Sequence, residues 1–188
     1  WDAENRLVGV AYPSQSGKLT KFVYDGLGRR IEIDDTPAGG GSAVALKYIW
    51  CGSKLCQARD SAYTPKQSYF TEGEFKIGAS SPSLFYGVDH IGSIRRVFQS
   101  ATSASAYDYD PWGVALQAGP SLTDYGFAGM LYHFESRLGL TWGRAYNRDI
   151  GRWVSRDPLG EGASQALNLY TYVENSPLVY VDPSGQIS

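Results

Sequence analysis

Apolar and polar side chains alternate over short stretches through most of the chain. In residues 19–34, Phe22 and Tyr24 alternate with Val23, and residues 30–33 run Arg, Ile, Glu, Ile around a glycine-containing turn. A period of two places successive side chains on opposite faces of a strand, so this segment predicts a β-hairpin. The same design recurs in residues 45–60, 69–78 and 83–100, with a strand before them in residues 7–12 and two more around residues 136–139. We therefore predict an all-β fold of short antiparallel strands.

Aromatic residues closely followed by Asp or Gly recur along the chain, at Tyr24, Trp50, Tyr86 and Tyr107. Their intervals are uneven but lie in the range of roughly 20–50 residues that is typical of repeated supersecondary units. Each hairpin exposes strand edges and cannot bury its own face, so neighbouring units are expected to stack into a continuous sheet. The pattern predicts one helical turn only, in residues 161–167.

The last quarter of the chain carries two sharp turns. Asp157-Pro158-Leu159-Gly160 and Asp182-Pro183-Ser184-Gly185 bracket a short apolar, aromatic segment. Pro fixes its own backbone angle and Gly permits left-handed angles, so each unit predicts a turn. The segment between them is interpreted as a strand and a return, which would bring the two carboxylates face to face.

Two interpretations of Asp157 and Asp182 follow from the residues alone. An Asp before Pro most often accepts hydrogen bonds from its own turn, which would make each carboxylate a turn cap. Alternatively, two carboxylates held close cannot both ionise cheaply, so one keeps a proton and the pair can activate a water or polarise a carbonyl. The spacing permits both.

Composition agrees with a β-rich chain and excludes two classes of partner. The 188 residues include 14 Tyr, 5 Trp and 22 Gly, residues typical of strands and turns. The net charge of −2 gives no electrostatic case for nucleic acid or for an anionic membrane. No secretory segment and no bilayer-spanning apolar run occurs. The chain begins with Trp1 rather than Met, which indicates a piece of a longer protein.

No metal or cofactor site is predicted. Cys51 and Cys56 form a lone Cys-x4-Cys pair without a second ligand pair, and His90 and His133 lack ligand spacing. If residues 52–55 form a hairpin loop, the two sulfurs could face each other as a disulfide. Two free thiols packed as small hydrophobes are an equally good interpretation.

Several segments together resemble the rearrangement-hotspot (RHS) family. YDGLGRR from Tyr24, YGVDHIGSIRRVF from Tyr86 and YDYDPWG from Tyr107 resemble its tyrosine-aspartate (YD) repeats. The segment from Tyr125 to Gly160, with NLYTYVENSPLVYVDPSG after it, is similar to the RHS-associated core that closes such repeats. The resemblance covers most of the chain and is most specific from Tyr86 to Gly185.

The resemblance implies a curved antiparallel strip of YD-type hairpins that forms part of a hollow shell, with a C-terminal segment folded inward as a cap. Residues 1–115 would be hairpin repeats and residues 116–188 the core segment. Toxin members of the family carry an effector domain after the core and are secreted or cell-surface associated bacterial proteins of interbacterial competition. The implied partners are that effector and the rest of the shell, and exposed strand edges predict self-association.

The resemblance also implies an intramolecular aspartyl autoprotease. The residues that match its catalytic positions are Asp157, Asp182 and Arg144, and Arg144 would orient a carboxylate bidentately or stabilise an oxyanion. The cleavage region would be Gly185, Gln186 and Ile187, with Gln186–Ile187 as the scissile bond. One departure stands out, because Gln186 replaces the family's terminal Leu.

Three other interpretations remain beside this one. A non-catalytic structural or cell-surface interaction scaffold would use the Asp-Pro turns only to shape the cap, with Arg144 in a plain ion pair. A hydrolase site at Asp89, His90 and Ser93 is disfavoured, because residues so close in sequence rarely form a triad. Glu161 would lie near the carboxylate pair or in solvent, and Asn168 and Asn175 would serve turns.

Overall fold

The computed structural model describes residues 1–117, 121–160 and 168–186. Within these ranges the protein is all-β, with fourteen strands and two three-residue 3-10 turns, Phe127–Gly129 and Val173–Asn175. The helical turn predicted for residues 161–167 lies outside the described residues. The strands are β1 Gly9–Ala11, β2 Leu19–Tyr24, β3 Arg30–Thr36, β4 Val44–Cys51, β5 Lys54–Arg59, β6 Pro65–Phe70, β7 Gly73–Lys76, β8 Ser83–Val88, β9 Ile94–Phe98, β10 Ala104–Ala106, β11 Leu131–His133, β12 Leu138–Leu140, β13 Ala145–Asn147 and β14 Arg152–Trp153.

Strands β1 to β10 form one antiparallel sheet in chain order, and β11 to β14 form a second. Chain-order pairing follows from the short turns, because a short connection can join only antiparallel neighbours. The hairpins predicted from the alternation are confirmed, as is the all-β class. β2 pairs with β3, β4 with β5, β6 with β7, β8 with β9 and β11 with β12.

The chain forms two compact units. One comprises Leu7–Leu84 with Trp1–Asp2, and the other comprises Phe85–Ser188 with Ala3–Arg6. The predicted boundary between residues 115 and 116, which separates repeat from core segment, stays a prediction. No helix among the described residues is long and apolar enough to cross a membrane.

In the first unit, the buried face of the strands carries every second side chain. Phe22 and Ile33 lie opposite each other in the β2–β3 register and are 3% and 2% exposed. Arg30 is also buried, and its guanidinium packs against the rings of Phe22 and Tyr24 at 5.2 and 5.3 Å. Cys51 and Cys56 form a disulfide across the β4–β5 hairpin, so the interpretation as free thiols is wrong.

An aromatic core anchors the second unit. The rings of Tyr146 and Tyr172 are tilted by 42° with centroids 4.6 Å apart, and Trp153 meets both rings edge-on at 5.6 and 5.5 Å. The cluster consists of Ile91, Phe127, Ala128, Met130, Tyr146, Trp153, Tyr172 and Val173. This core supports β13 and β14, the strands that flank the candidate site.

The segment between the two Asp-Pro turns is not the strand and return that the sequence predicts. In its described part, from residue 168 onward, Thr171 makes an isolated bridge to Arg152, and no strand is present. Val173, Glu174 and Asn175 then follow with φ angles of 41°, 53° and 58°. Three left-handed residues in succession cannot continue an extended strand, because they reverse the direction of the chain.

Candidate functional site

Four hairpin turns of the repeats are closed by the same aspartate contacts. In each, Oδ1 of the Asp accepts hydrogen bonds from the backbone N–H groups two and four residues later, at 2.8–3.1 Å. The four residues are Asp25, Asp60, Asp89 and Asp110. This Asx-type capping explains why an Asp stands at the start of each of these four turns.

The second carboxylate oxygen of three of these residues contacts a cation instead. Oδ2 thus adds an ion pair to the turn that Oδ1 closes, and the two oxygens have separate roles. The pairs are Asp25 with Arg29 Nη2 at 2.7 Å, Asp60 with Lys66 Nζ at 3.1 Å and Asp89 with Arg95 Nε at 3.0 Å.

Asp157 and Asp182 cap their own turns in a similar way. Oδ1 of Asp157 accepts the N–H of Leu159 at 2.9 Å. Oδ1 of Asp182 accepts the N–H groups of Gly185 and Gln186 at 2.8 and 3.1 Å. The turn-cap interpretation therefore describes Oδ1 of both residues, and Oδ2 of each faces the interior of the site.

Arg144 joins the two carboxylates. Its Nη2 lies 3.0 Å from Asp157 Oδ2 and 3.1 Å from Asp182 Oδ2, and the three side chains are 1%, 2% and 0% exposed. The expected bidentate pairing is wrong, because one nitrogen serves both carboxylates. The rest of the guanidinium binds backbone, with Nε donating to Gly185 O at 2.5 Å and Nη1 to Leu169 O at 3.3 Å.

The three atoms at the centre of this cluster are not equally bonded. Arg144 Nη2 donates a hydrogen bond to Asp182 Oδ2. Asp157 Oδ2 is within ion-pair distance of the same nitrogen, yet it is buried and receives no hydrogen bond among the described residues. Asp157 is thus held beside Arg144 by charge attraction, whereas Asp182 is also hydrogen-bonded to it.

The charges of the cluster do not balance. Among the described residues, two carboxylates face one guanidinium in a buried site. Burial lowers the pKa of Arg144, while the negative charges of Asp157 and Asp182 act to raise it. An arginine stays charged even so. With both carboxylates ionised the site would carry a net negative charge, which is costly in a low-dielectric interior.

Two residues that sequence reasoning missed hold Arg144 in place. Thr141 Oγ1 accepts the N–H of Arg144 at 3.3 Å and donates to its carbonyl at 3.1 Å. Trp153 lies under the guanidinium, whose carbon is 4.4 Å from the ring centroid. A planar cation over an indole face gains both electrostatic attraction and packing. The pairing of Trp153 with Tyr146 in β13–β14 was the available signal, since it directs both rings to one face.

The second Asp-Pro turn docks on the loop that carries Arg144. Gly143 N–H donates to Ser184 O at 2.9 Å. Gly185 has φ of +71°, and a Cβ at this position would collide with Thr141 Oγ1 and the backbone of Arg144. Only glycine fits this close approach, so the last residue of the Asp-Pro-x-Gly unit has a packing role as well as a turn role.

The remaining candidates serve the fold. Asp89 caps its turn, Ser93 Oγ accepts the N–H of Ala128 at 2.9 Å and His90 Nε2 contacts Leu178 O at 2.8 Å, so these three do not form a triad. Asn168 Oδ1 accepts the N–H of Tyr170, as expected of a turn residue. No group of three or more metal-ligating side chains exists in the described part of the chain. Glu161 and Ile187 lie outside it.

A cavity of about 290 Å³ lies elsewhere in the second unit. Aromatic side chains and one cation line it, among them Tyr107, Tyr125, Phe127, Tyr132 and Arg148. None of Arg144, Asp157 and Asp182 contributes to its wall. The cavity therefore does not mark the carboxylate cluster, which is a packed, closed site.

Comparisons with known proteins identify relatives among bacterial toxins and surface proteins. The tRNA3(Ser)-specific nuclease WapA of Bacillus spizizenii is 28% identical over 98% of this chain, which corresponds to 8% of the relative. The double-stranded DNA deaminase toxin A of Burkholderia cenocepacia is 26% identical over 98% of the chain and 15% of the relative. Salivary gland surface protein 1 of Aedes aegypti is 34% identical over 60% of the chain and 3% of the relative. The chain thus spans a small part of each relative.

A solved structure of the Tc holotoxin pore of Photorhabdus luminescens has the same fold. It superposes with a TM-score of 0.73 at 18% identity, covering 99% of this chain and 10% of the toxin chain. The resemblance to RHS and YD-repeat proteins is thereby confirmed at the level of fold and sequence. The family model of the teneurin YD-shell matches residues 76–178, more than half of the chain, and the chain belongs to the teneurin YD-shell family.

Proposed function

We propose that this chain is the closing part of a β-shell that encloses a C-terminal effector, and that its buried carboxylate cluster cuts the polypeptide once, just after the second Asp-Pro-x-Gly turn. Family membership and the small share of each relative that it spans support a shell component. One observation supports the proposed autoproteolysis. Arg144, Asp157 and Asp182 meet in one buried site, and two of them bond to the backbone of residues 185 and 186.

The imbalance of charge in the cluster supports acid–base chemistry. Among the described residues one guanidinium faces two carboxylates, and Asp157 Oδ2 is buried beside it without a hydrogen bond. A carboxylate oxygen in such a position can take a proton from water and later return it, as a general base and then a general acid. The cleavage is intramolecular, so the substrate strand needs no binding step and gains the benefit of proximity.

A non-catalytic scaffold is the second candidate, and a specific observation favours it. Asp25, Asp60, Asp89 and Asp110 cap their turns outside the carboxylate cluster, and Arg95 joins Asp89 to Asp108 at 3.0 and 3.4 Å, so an arginine between two carboxylates can have a purely structural role. Arg144 would then have only a structural role, in which its buried side chain holds the two Asp-Pro turns together. The relationship to a salivary gland surface protein agrees with such a role.

We also propose a secreted or cell-surface location. The Cys51–Cys56 disulfide supports it, because disulfides persist in oxidising compartments.

The proposed partners are the effector that follows this segment and the neighbouring repeats of the shell. Strand β1 ends the sheet and pairs only with β2 among the described residues, so self-association through this edge is expected. Sedimentation that shows a monomer over a wide concentration range would contradict it.

A fusion experiment separates the two candidates. A folded reporter is attached after Ser188, and intact masses are measured after purification. Cleavage near Gly185 that is lost in Asp157→Asn and Asp182→Asn supports the autoprotease. Asn keeps an Oδ1 that caps the turn and changes only the second oxygen, so both variants should fold. Asp110→Asn, in a turn outside the cluster, is the matched control and should cut normally. A fusion with a native near-UV circular dichroism spectrum that stays uncut would favour the scaffold.

A further inference from the structure

Two residues of the cluster bind the two polar atoms of one peptide bond. Arg144 Nε donates to the carbonyl oxygen of Gly185 at 2.5 Å. Asp182 Oδ1 accepts the N–H of Gln186 at 3.1 Å. Both contacts fall on the Gly185–Gln186 peptide, and the bond from Gly185 O to the guanidinium is short and charge-assisted.

The segment that contains this peptide is held on both sides. The preceding carbonyl, Ser184 O, accepts the N–H of Gly143, and the N–H of Gly185 donates to Asp182 Oδ1. Because Gly185 lacks a Cβ, its backbone approaches Thr141 and Arg144 closely. The peptide is therefore fixed in one orientation, which is a requirement for attack on its carbonyl carbon.

We propose that the bond hydrolysed is Gly185–Gln186, one bond before the Gln186–Ile187 bond that the family resemblance implies. This inference rests on the proposed autoproteolysis and specifies its bond. Arg144 Nε is positioned to stabilise the negative charge that develops on Gly185 O when the carbon becomes tetrahedral. Asp182 Oδ1 fixes the N–H of the leaving nitrogen and so aligns its lone pair.

Asp157 supplies the proton transfer. Its Oδ2 is buried, lies beside Arg144 and receives no hydrogen bond in the described part of the cluster, so it has a lone pair free for a proton. A water molecule gives a proton to Asp157 Oδ2 and its oxygen bonds to the carbonyl carbon of Gly185. Asp157 then passes that proton to the nitrogen of Gln186 as the C–N bond breaks. One water is consumed, and the products are a Gly185 carboxyl group and a Gln186 amine.

The inference also explains why Gln can stand at position 186. If the cut followed residue 186, its side chain would belong to the acyl half, and the exchange of an apolar Leu for Gln would change the acyl residue itself. If the cut precedes it, residue 186 belongs to the leaving half. The acyl residue is then Gly185, whose fit against Thr141 requires glycine.

The same fusion, with a reporter after Ser188, tests this bond by the masses of both products. The expected amino-terminal product ends at Gly185 and the expected reporter product begins with Gln186. Products that end at Gln186 would overturn the inference and leave the proposed autoproteolysis standing. A folded fusion that remains uncut would overturn both.

Two variants sharpen the test. Gln186→Leu restores the family residue, and the product should still end at Gly185; a cut that moves to the next bond would overturn the inference.

Arg144→Lys keeps the positive charge but loses the planar group that reaches Gly185 O. It should slow the cut by about 10²-fold, the usual effect of losing one oxyanion donor. Arg148→Lys, whose guanidinium packs on Tyr132 outside the cluster, is the control and should cut at the normal rate. A normal rate in Arg144→Lys would contradict the role given to Nε.

Discussion

The guanidinium of Arg144 packs over the indole ring of Trp153, with its carbon 4.4 Å from the ring centroid, while its nitrogens reach two aspartates and a backbone carbonyl. Trp153 is 1% exposed and also packs against Tyr146 and Tyr172. One ring therefore supports both the ionic cluster and the aromatic core, so loss of Trp153 would perturb both.

Removal of this ring should destabilise the second unit strongly. We expect Trp153→Ala to lower the free energy of unfolding by about 3–5 kcal/mol, the range for a large buried aromatic. Urea unfolding followed by far-UV circular dichroism measures it. Trp1→Ala is the matched control, since Trp1 is 63% exposed and its loss should change stability by less than about 0.5 kcal/mol. Similar midpoints for the two variants would contradict the supporting role of Trp153.

The cation of the cluster should matter more for stability than the cluster as a whole. Arg144→Met leaves two buried carboxylates without a counter-charge, so we expect a loss of about 3–5 kcal/mol. Combining it with Asp157→Asn and Asp182→Asn removes the uncompensated charges and should restore part of that loss. Urea midpoints of the single and triple variants test this non-additivity. A triple variant less stable than Arg144→Met would show that the carboxylates stabilise the fold without their partner.

Two glycines with nearly the same backbone angle should respond differently to alanine. Gly160 has φ of +68° and open space around its Cα, so Gly160→Ala should cost only the left-handed strain of about 1–2 kcal/mol. Gly185 has φ of +71°, but its Cβ would also collide with Thr141. Gly185→Ala should therefore lower the free energy of unfolding clearly more than Gly160→Ala does. Thermal or urea unfolding midpoints of the two variants measure the difference. Equal costs would mean that the docking of the second turn is loose.

The hairpins could be predicted from the sequence because the residues that determine each one lie close together in the chain. The period-two alternation in residues 19–34 and the Asp-Gly turn at Asp25 lie within one hairpin, and antiparallel neighbours need no information from elsewhere in the chain. The same holds for the two Asp-Pro turns, whose Pro and Gly fix the backbone by themselves.

The site could be predicted only in part, because its geometry depends on contacts distant in sequence. The resemblance named Arg144, Asp157 and Asp182, but the single shared nitrogen arises from packing between residues up to 38 apart. Thr141 and Trp153 carry no motif. The left-handed run of Val173, Glu174 and Asn175 contradicts local propensity, and burial of Tyr172 and Val173 at 0% and 3% exposure fixes it instead.

Two neighbouring buried tyrosines, Tyr146 and Tyr172, differ in whether the hydroxyl group has a hydrogen-bond partner among the described residues. Tyr146 donates to Trp112 O at 3.0 Å, so Tyr146→Phe should destabilise the protein by about 1 kcal/mol. The buried Tyr172 hydroxyl has no hydrogen-bond partner among the described residues, so Tyr172→Phe should leave stability unchanged or raise it. Chemical unfolding of both variants checks this. A large loss in Tyr172→Phe would reveal a partner for its hydroxyl, such as a buried water.

The stability of the second unit should fall at alkaline pH. Burial raises the pKa of Tyr109 from its ordinary value of 10.0 to about 12, and burial also raises the pKa of Tyr146 and Tyr172. Above pH 10 the unfolded chain releases these protons and the folded chain does not, so ionisation favours unfolding until the folded pKa is reached. The free energy of unfolding should therefore be independent of these groups below pH 10 and decrease between pH 10 and pH 12. Tyr109→Phe removes one of the three groups, and its stability should decline less steeply over that window in urea titrations at fixed pH. An unchanged slope would mean that Tyr109 ionises as readily in the folded protein as in the unfolded chain.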